Sequence, residues 1–183
     1  MVDDNRLEEI SAKQAIADLL SIYCRGIDRC DADLVKQAFW PDAYDNHGAD
    51  AAPAWEFADR IVASKLAGTE WTTHAVTNHL VDVDVDGDVA FSEAIVLTFQ
   101  KQSGSAEVNI FCGRYVDRVE RRDGNWRIAY RQMIHDWSGS TVLAPWVLPG
   151  VASGAFEQGA RRANDFVTGA GRKRLMNDEL SRN

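Results

Sequence analysis

Between residues 10 and 27 the apolar positions Ile10, Ile16, Leu19, Leu20, Tyr23, Cys24 and Ile27 return mostly at steps of three and four. That is the period of one buried helical stripe. Ser11 followed by Gln14 fits a capping box, and Gly26 weakens the last turn. A second helix is expected over 32–39, with Asp31 as its cap and Pro41 marking its end. A third is expected over 53–66, with Pro53 at the first helical position and Gly68 just beyond the last. Near Gly68 the period changes from 3.6 to 2.0. Val81, Val83 and Val85 alternate with Asp82, Asp84 and Asp86, and Asp86-Gly87-Asp88 signals a hairpin. The return strand, 89–102, sets Val89, Phe91, Ile95, Leu97 and Phe99 on one face. Ser103-Gly104-Ser105 turns the chain into a strand over 108–120, and Arg122-Asp123-Gly124-Asn125 into another over 126–137.

Helices first and a meander of long strands after them make an α+β plan: one strongly curved antiparallel sheet over about three N-terminal helices. Residues 1–137 form this domain. Residues 138–183, interrupted by Pro145, Pro149, Gly150, Gly154, Gly159 and Gly169, read as an extended arm with a marginal helix at 156–167. The arm is expected to pack on the same domain or on a neighbouring subunit. Its apolar Trp146, Val147 and Leu148 need a surface to cover them, which points to a homo-oligomer.

Composition narrows the function classes. A chain of 183 residues holds one domain with a sizeable core. Its 20 Lys and Arg against 28 Asp and Glu leave a net charge of −8, which disfavours nucleic acid and anionic membrane as partners. No apolar run reaches the roughly 18 residues of a spanning helix. The three cysteines are odd in number and lack CxxC spacing, which suits a reducing, cytoplasmic compartment.

Among candidate chemical groups, Glu93 shares the stripe of Phe91, Ile95 and Leu97, where an unpaired carboxylate is costly. Either it anchors a ligand in a pocket or it pairs with Arg114 or Arg131. Asp45-Asn46-His47, with His79 and His135 elsewhere, has no HExxH or facial-triad spacing, so no metal is expected. Asp45 and His47 read as a pocket mouth or a cap. Trp40, Trp55 and Trp71 pack in the core or form an aromatic pocket wall. No Ser/His/Asp elbow, P-loop or dinucleotide fingerprint occurs, and Cys24 and Cys30 have no base beside them in sequence.

The segments YCRGIDRCD, AFWPDAYDNHG, WTTHAVTNH and FCGRYVDRVERRDGNWRIAYRQMIHDW resemble the SnoaL-like branch of the NTF2-like superfamily, over about residues 8–137. The resemblance implies a cone: a curved sheet around an apolar pocket, plugged by the helices. Several enzymes of the superfamily share an Asp at the end of helix one and a His on the strand after helix three, and these positions match Asp28 and His74. Tyr23 matches a third functional position. The activity implied is a lyase of the dehydratase type, without a cofactor, acting on a hydrophobic cyclic or aromatic small molecule. His74 removes a proton, Asp28 orients it and Tyr23 donates to an oxygen. Glu93, Arg131, Trp40, His47 and Trp71 are the expected substrate contacts. A polyketide cyclase or isomerase, or a formaldehyde-releasing lyase, uses the same dyad; from another class come a non-catalytic binder and a dioxygenase-type small subunit. By the same resemblance a trimer is expected before a dimer.

Two geometric conditions accompany this assignment. Five helical steps put Tyr23 and Asp28 about 140° apart, so their convergence requires the helix to end or distort near Gly26. Strict alternation puts His74 on the face of Asp82 and Asp84, opposite Val81 and Val83, unless a bulge at 78–80 changes the facing.

Overall fold

The computed structural model describes residues 4–84, 86–144, 156–168 and 170–176. Helix α1 (Asp4–Arg29) runs unbroken and buries Ile16, Leu19, Leu20, Tyr23, Cys24 and Ile27, while Ile10 at its start stays exposed. Gly26 does not distort it. Its role is close approach: a Cβ there would lie 2.6 Å from Val35 Cγ2 and 2.8 Å from the Val35 backbone nitrogen. Val35 belongs to helix α2 (Ala32–Gln37), which crosses α1 at that point and is capped by Asp31 accepting from the Leu34 N–H at 3.0 Å.

The chain then turns extended earlier than Pro41 suggested. Strand β1 (Phe39–Asn46) and the short β2 (Ala52–Pro53) precede helix α3 (Ala54–Gly68), and both were missing from the sequence-based plan. Pro41, Asp42 and Asp45 obscure any alternation in β1, and its long-range pairing partner, the strand around Ile128 to Gln132, lies more than eighty residues away. Four long strands follow: β3 (Thr69–Asp84), β4 (Val89–Gln102), β5 (Glu107–Arg122) and β6 (Asn125–Val142). The six strands lie in the order β2-β1-β6-β5-β4-β3. The four long strands pair antiparallel as expected, whereas β1 runs parallel to β6. The sheet curves without closing, and α1 lies across its concave side against the cluster that includes Ala94, Val96, Tyr115 and Ile128.

A bulge decides which residues face that concavity. Before it, His74 pairs with Thr98 and Val76 with Val96; after it, His79 pairs with Ala94 and Val81 with Ser92. The shift falls at Asn78, whose φ of 37° lies in the left-handed region that Asn tolerates. Even-numbered β3 residues therefore face inward up to Val76 and odd-numbered ones from His79, so His74 and Val81 share the inner face. On β4 the inner residues are Ala90, Ser92, Ala94 and Val96, all buried. The stripe of Phe91, Ile95 and Leu97, read from the sequence as core-facing, turns outward, and Phe91 is exposed.

The arm also departs from expectation. Residues 156–167 form no α-helix; they contain a 3-10 turn (Arg162–Asn164), and helix α4 (Ala170–Met176) begins later. The described part of the arm packs on its own chain. Arg161 donates to the Thr69 carbonyl at 2.8 Å, and Asp165 accepts from Arg25 at 3.2 Å and pairs with Arg29 at 3.3 Å. Trp146, Val147 and Leu148, on which the expectation of assembly rested, lie outside the described residues, as does Val85.

The α1–α2 crossing gives a test in which propensity and packing oppose each other. Gly26→Ala gains up to about 1 kcal/mol of helix propensity, yet its methyl group meets Val35 backbone. Overpacking of this kind costs roughly 1–3 kcal/mol, so a net loss of about 1–2 kcal/mol is expected in urea unfolding. A stability gain would show that the helices can separate freely.

Candidate functional site

A cavity of about 370 Å³ opens between the helices and the concave side of the sheet. Helix α1 contributes Tyr23 and Ile27, and α3 contributes Phe57, Ile61 and Lys65 at successive i+4 positions. The sheet contributes His74 from β3, Thr98 and Gln100 from β4, Phe111 and Tyr115 from β5, and Met133 and His135 from β6. His47 and Gly48 close the circle after β1. The volume and the mixture of aromatic walls with a few polar groups suit a small organic molecule.

Asp28 and His74 meet at one side of this cavity. Asp28 Oδ1 lies 2.6 Å from His74 Nδ1, and Asp28 Oδ2 accepts from the His74 backbone N–H at 2.9 Å. The carboxylate thus fixes the ring and its strand together. Its bond to Nδ1 favours the tautomer with hydrogen on that nitrogen and a lone pair on Nε2. The 140° separation does not prevent Tyr23 from serving the same cavity. On the continuous helix Tyr23 points to the floor, whereas Asp28 reaches β3 behind His74 and does not itself line the cavity. Burial and the nearby Asp45 charge hold the Tyr23 hydroxyl well above its ordinary pKa, so it stays a donor.

A second imidazole–carboxylate pair faces the same space. His47 Nδ1 contacts Asp45 Oδ1, and its ring stacks on Phe57 at 4.6 Å. Asp45 has no exposed surface, and its Oδ2 has no hydrogen-bond partner among the described residues.

The remaining expected contacts lie elsewhere. Arg131 is completely buried below the cavity floor, bonded to Asp117 by two contacts of 2.7 Å. Its guanidinium carbon sits 4.3 Å from the Tyr23 ring centre and 4.0 Å from that of Tyr115. Burial disfavours this cation, but Asp117 holds its pKa above the ordinary value. Glu93 stands on the outer face, where it pairs with Arg114 at 3.5 Å; the outward turn of its strand places it there. Trp40 donates to the Glu120 carbonyl at 3.1 Å beneath Arg122 and Arg127, away from the cavity. Trp71, opposite Lys101 on β3, is on the outer face as well. None of these four lines the cavity.

Sequence reasoning missed Lys65, Gln100, Tyr115 and Asp117. The signal for Lys65 was the spacing Phe57, Ile61, Lys65, which puts a lysine on the buried face of α3. Lys65 is only 7% exposed. Two of the cysteines are poor nucleophiles: burial pushes the Cys24 thiol up to about 12 and raises that of Cys30. Among the described residues no three His, Cys, Asp or Glu side chains converge as a metal site.

A curved, unclosed sheet around a small apolar cavity, plugged by N-terminal helices, defines the NTF2-like class of small-molecule-binding cones. Within that class the chain belongs to the SnoaL-like domain family, whose profile matches residues 8–132. It is 30% identical over 126 residues to an uncharacterised protein of Mycobacterium tuberculosis, covering 67% of this chain and 84% of that one. Its fold is similar to a hexachlorocyclohexane dehydrochlorinase of Novosphingobium barchaimii, with a TM-score of 0.69, 21% identity, and coverage of 79% of this chain and 99% of the other. It is similar also to a scytalone dehydratase-like protein of Novosphingobium aromaticivorans, with a TM-score of 0.67, 17% identity, and coverage of 75% and 92%. At these identities the two structures speak for the fold.

The buried pair below the floor is testable without a substrate. Asp117→Ala leaves the Arg131 cation unpaired in the interior, and a loss of about 3–5 kcal/mol is expected in chemical denaturation. A loss below about 1 kcal/mol would mean that the guanidinium finds water or another acceptor.

Proposed function

We propose that the protein is a lyase of the dehydratase type acting on a hydrophobic cyclic or aromatic small molecule, with the Asp28–His74 pair as its proton-transfer unit. The observation that carries this reading is the 2.6 Å contact between Asp28 and Nδ1 of a histidine that lines an apolar cavity. With Nδ1 committed to the carboxylate, His74 Nε2 is the free base. It takes a proton from the carbon next to a carbonyl, and the C–H electron pair forms the new double bond. The β-hydroxyl leaves with the proton returned by the imidazolium, as water. Asp28 stabilises the imidazolium between these steps and keeps the ring from turning. Tyr23, held protonated by burial, donates to the carbonyl oxygen as negative charge develops there. His47 contacts the ligand from the β1 side.

In the cell we place this activity in the cytoplasm, a reducing compartment that suits the three free thiols. We also take the working form to be a homo-oligomer, a trimer before a dimer, in which the outward apolar stripe of β4 is covered by a second copy.

The test is loss of water from a panel of cyclic β-hydroxy ketones, followed by the near-ultraviolet absorbance of the conjugated enone. His74→Ala is expected to lower kcat by about 10²–10⁴-fold in protein that circular dichroism shows still folded. Asp28→Asn should fold normally and lose activity as well, because an amide cannot stabilise the imidazolium as a carboxylate does. Full enone formation by His74→Ala would remove the assignment.

A further inference from the structure

One cation at the cavity has no part in the proton transfer. Lys65 extends from the face of α3 that also carries Phe57 and Ile61, and 93% of its surface is hidden, against 7% exposed. Its Nζ bonds Gln100 Oε1 at 2.5 Å, a neutral acceptor. Among the described residues no carboxylate oxygen lies within the 4.0 Å of an ion pair. Asp28 is the acid whose charge it feels most, but both Asp28 oxygens are occupied by His74. An ammonium has three hydrogens to donate, and a buried one without a counter-ion is strongly destabilising. Burial accordingly lowers the Lys65 pKa from its ordinary value.

The rest of the described wall offers Lys65 no counter-charge. His47, His74 and His135 line the cavity as imidazoles and Tyr23 as a hydroxyl, and among the described residues no carboxylate lines it. Asp28 and Asp45 lie behind the two imidazoles they bind. Because a lysine can only donate, Gln100 must turn its oxygen toward Nζ, which frees the amide hydrogens of Nε2 for another acceptor. An ammonium and an amide N–H₂ thus stand side by side, on α3 and β4, at the edge of an apolar space. Two adjacent donors, one charged, match the two oxygens of a carboxylate.

We infer that Lys65 and Gln100 form a carboxylate-binding subsite, and that the ligand of this cavity is a cyclic or aromatic carboxylic acid. The inference deepens the lyase reading by naming a substrate class, and it rests on that reading only for the statement that the ligand is turned over. The carboxylate completes the ion pair that the folded protein lacks, while the ring occupies the space between Phe57, Phe111 and Met133.

Calorimetric titration of the full chain with 2-naphthoate and with the neutral, near-isosteric 2-naphthamide tests it. The native protein should bind the carboxylate at least about tenfold more tightly, the effect of one charge-assisted hydrogen bond in a dry site. Lys65→Met should erase this preference while leaving amide affinity within about threefold, and its unfolding midpoint without ligand should be equal or higher, since an unpaired buried charge is gone. Gln100→Leu, which keeps the lysine, should weaken carboxylate binding alone by about three- to tenfold. Equal affinity for the two probes, no binding of either at millimolar concentration, or a preference that survives Lys65→Met overturns the subsite. His74→Ala should retain the preference, so failure of the dehydratase assay and failure of the subsite are read separately.

Discussion

The floor of the cavity rests on a guanidinium with no exposed surface. Arg131 enters from β6, bonds Asp117 on β5 through two parallel contacts, and lies between the rings of Tyr23 and Tyr115. Tyr23 belongs to α1, so this single cation ties the N-terminal helix to the middle of the sheet. Isolated, such a charge would be prohibitively costly in the interior; the bidentate carboxylate and the aromatic faces together make it tolerable. Tyr23 and Tyr115 also line the cavity floor, so an arginine that does not line the cavity shapes its surface. A position with the look of a substrate contact is thus a support for two residues that line the site.

Above that floor, the orientation of the site depends on one extra residue in β3. Without the bulge at Asn78, the face that carries His74 would continue into Leu80 and Asp82, and Val81 would point to solvent. With it, His74 faces Asp28 while Val81 still joins the core. The same strand therefore serves the cavity in its first half and the apolar core in its second. Opposite it, β4 keeps small or short residues inside, Ala90, Ser92 and Ala94, and leaves its large apolar residues outside. That choice makes room for α1 against the concave face.

The order of elements was legible because it rests on neighbours in sequence. The stripe of α1, the Asp31 cap and the Asp-Gly turns act over three or four residues, and helices and long strands appear where these signals predict them; the capping box at Ser11 is the exception, since α1 starts at Asp4 and carries Ser11 inside it. β1 was not legible. Its residues Pro41, Asp42 and Asp45 carry no alternation, and it is held as a strand between the parallel edge of β6 and the short antiparallel β2. The arm failed for a similar reason: Asp165 and Arg161 are fixed by partners on α1 and near Thr69, more than ninety positions earlier, and not by any helical period. Glu93 and Trp71 do not reach the cavity because a strand pattern reports two faces without saying which is inside; of the two readings open for Glu93 the pair with Arg114 is the one the structure shows, and of those open for Trp40 it shows packing against the core.

The sequence by itself determined the α+β plan, the family and the chemical types at Asp28, His74 and Tyr23. Only the tertiary structure decided that Asp28 bonds His74, that His47 joins Asp45 at the same cavity, and that Lys65 lies buried against Gln100. The physical reason is range. Helix and strand periods follow from backbone geometry repeated over a few residues, and local side chains can specify them. A cavity is assembled by contacts between positions 35 to 46 residues apart, such as Lys65 with Gln100 and Asp28 with His74. The burial that makes those contacts strong exists only once the sheet has curved over the helices.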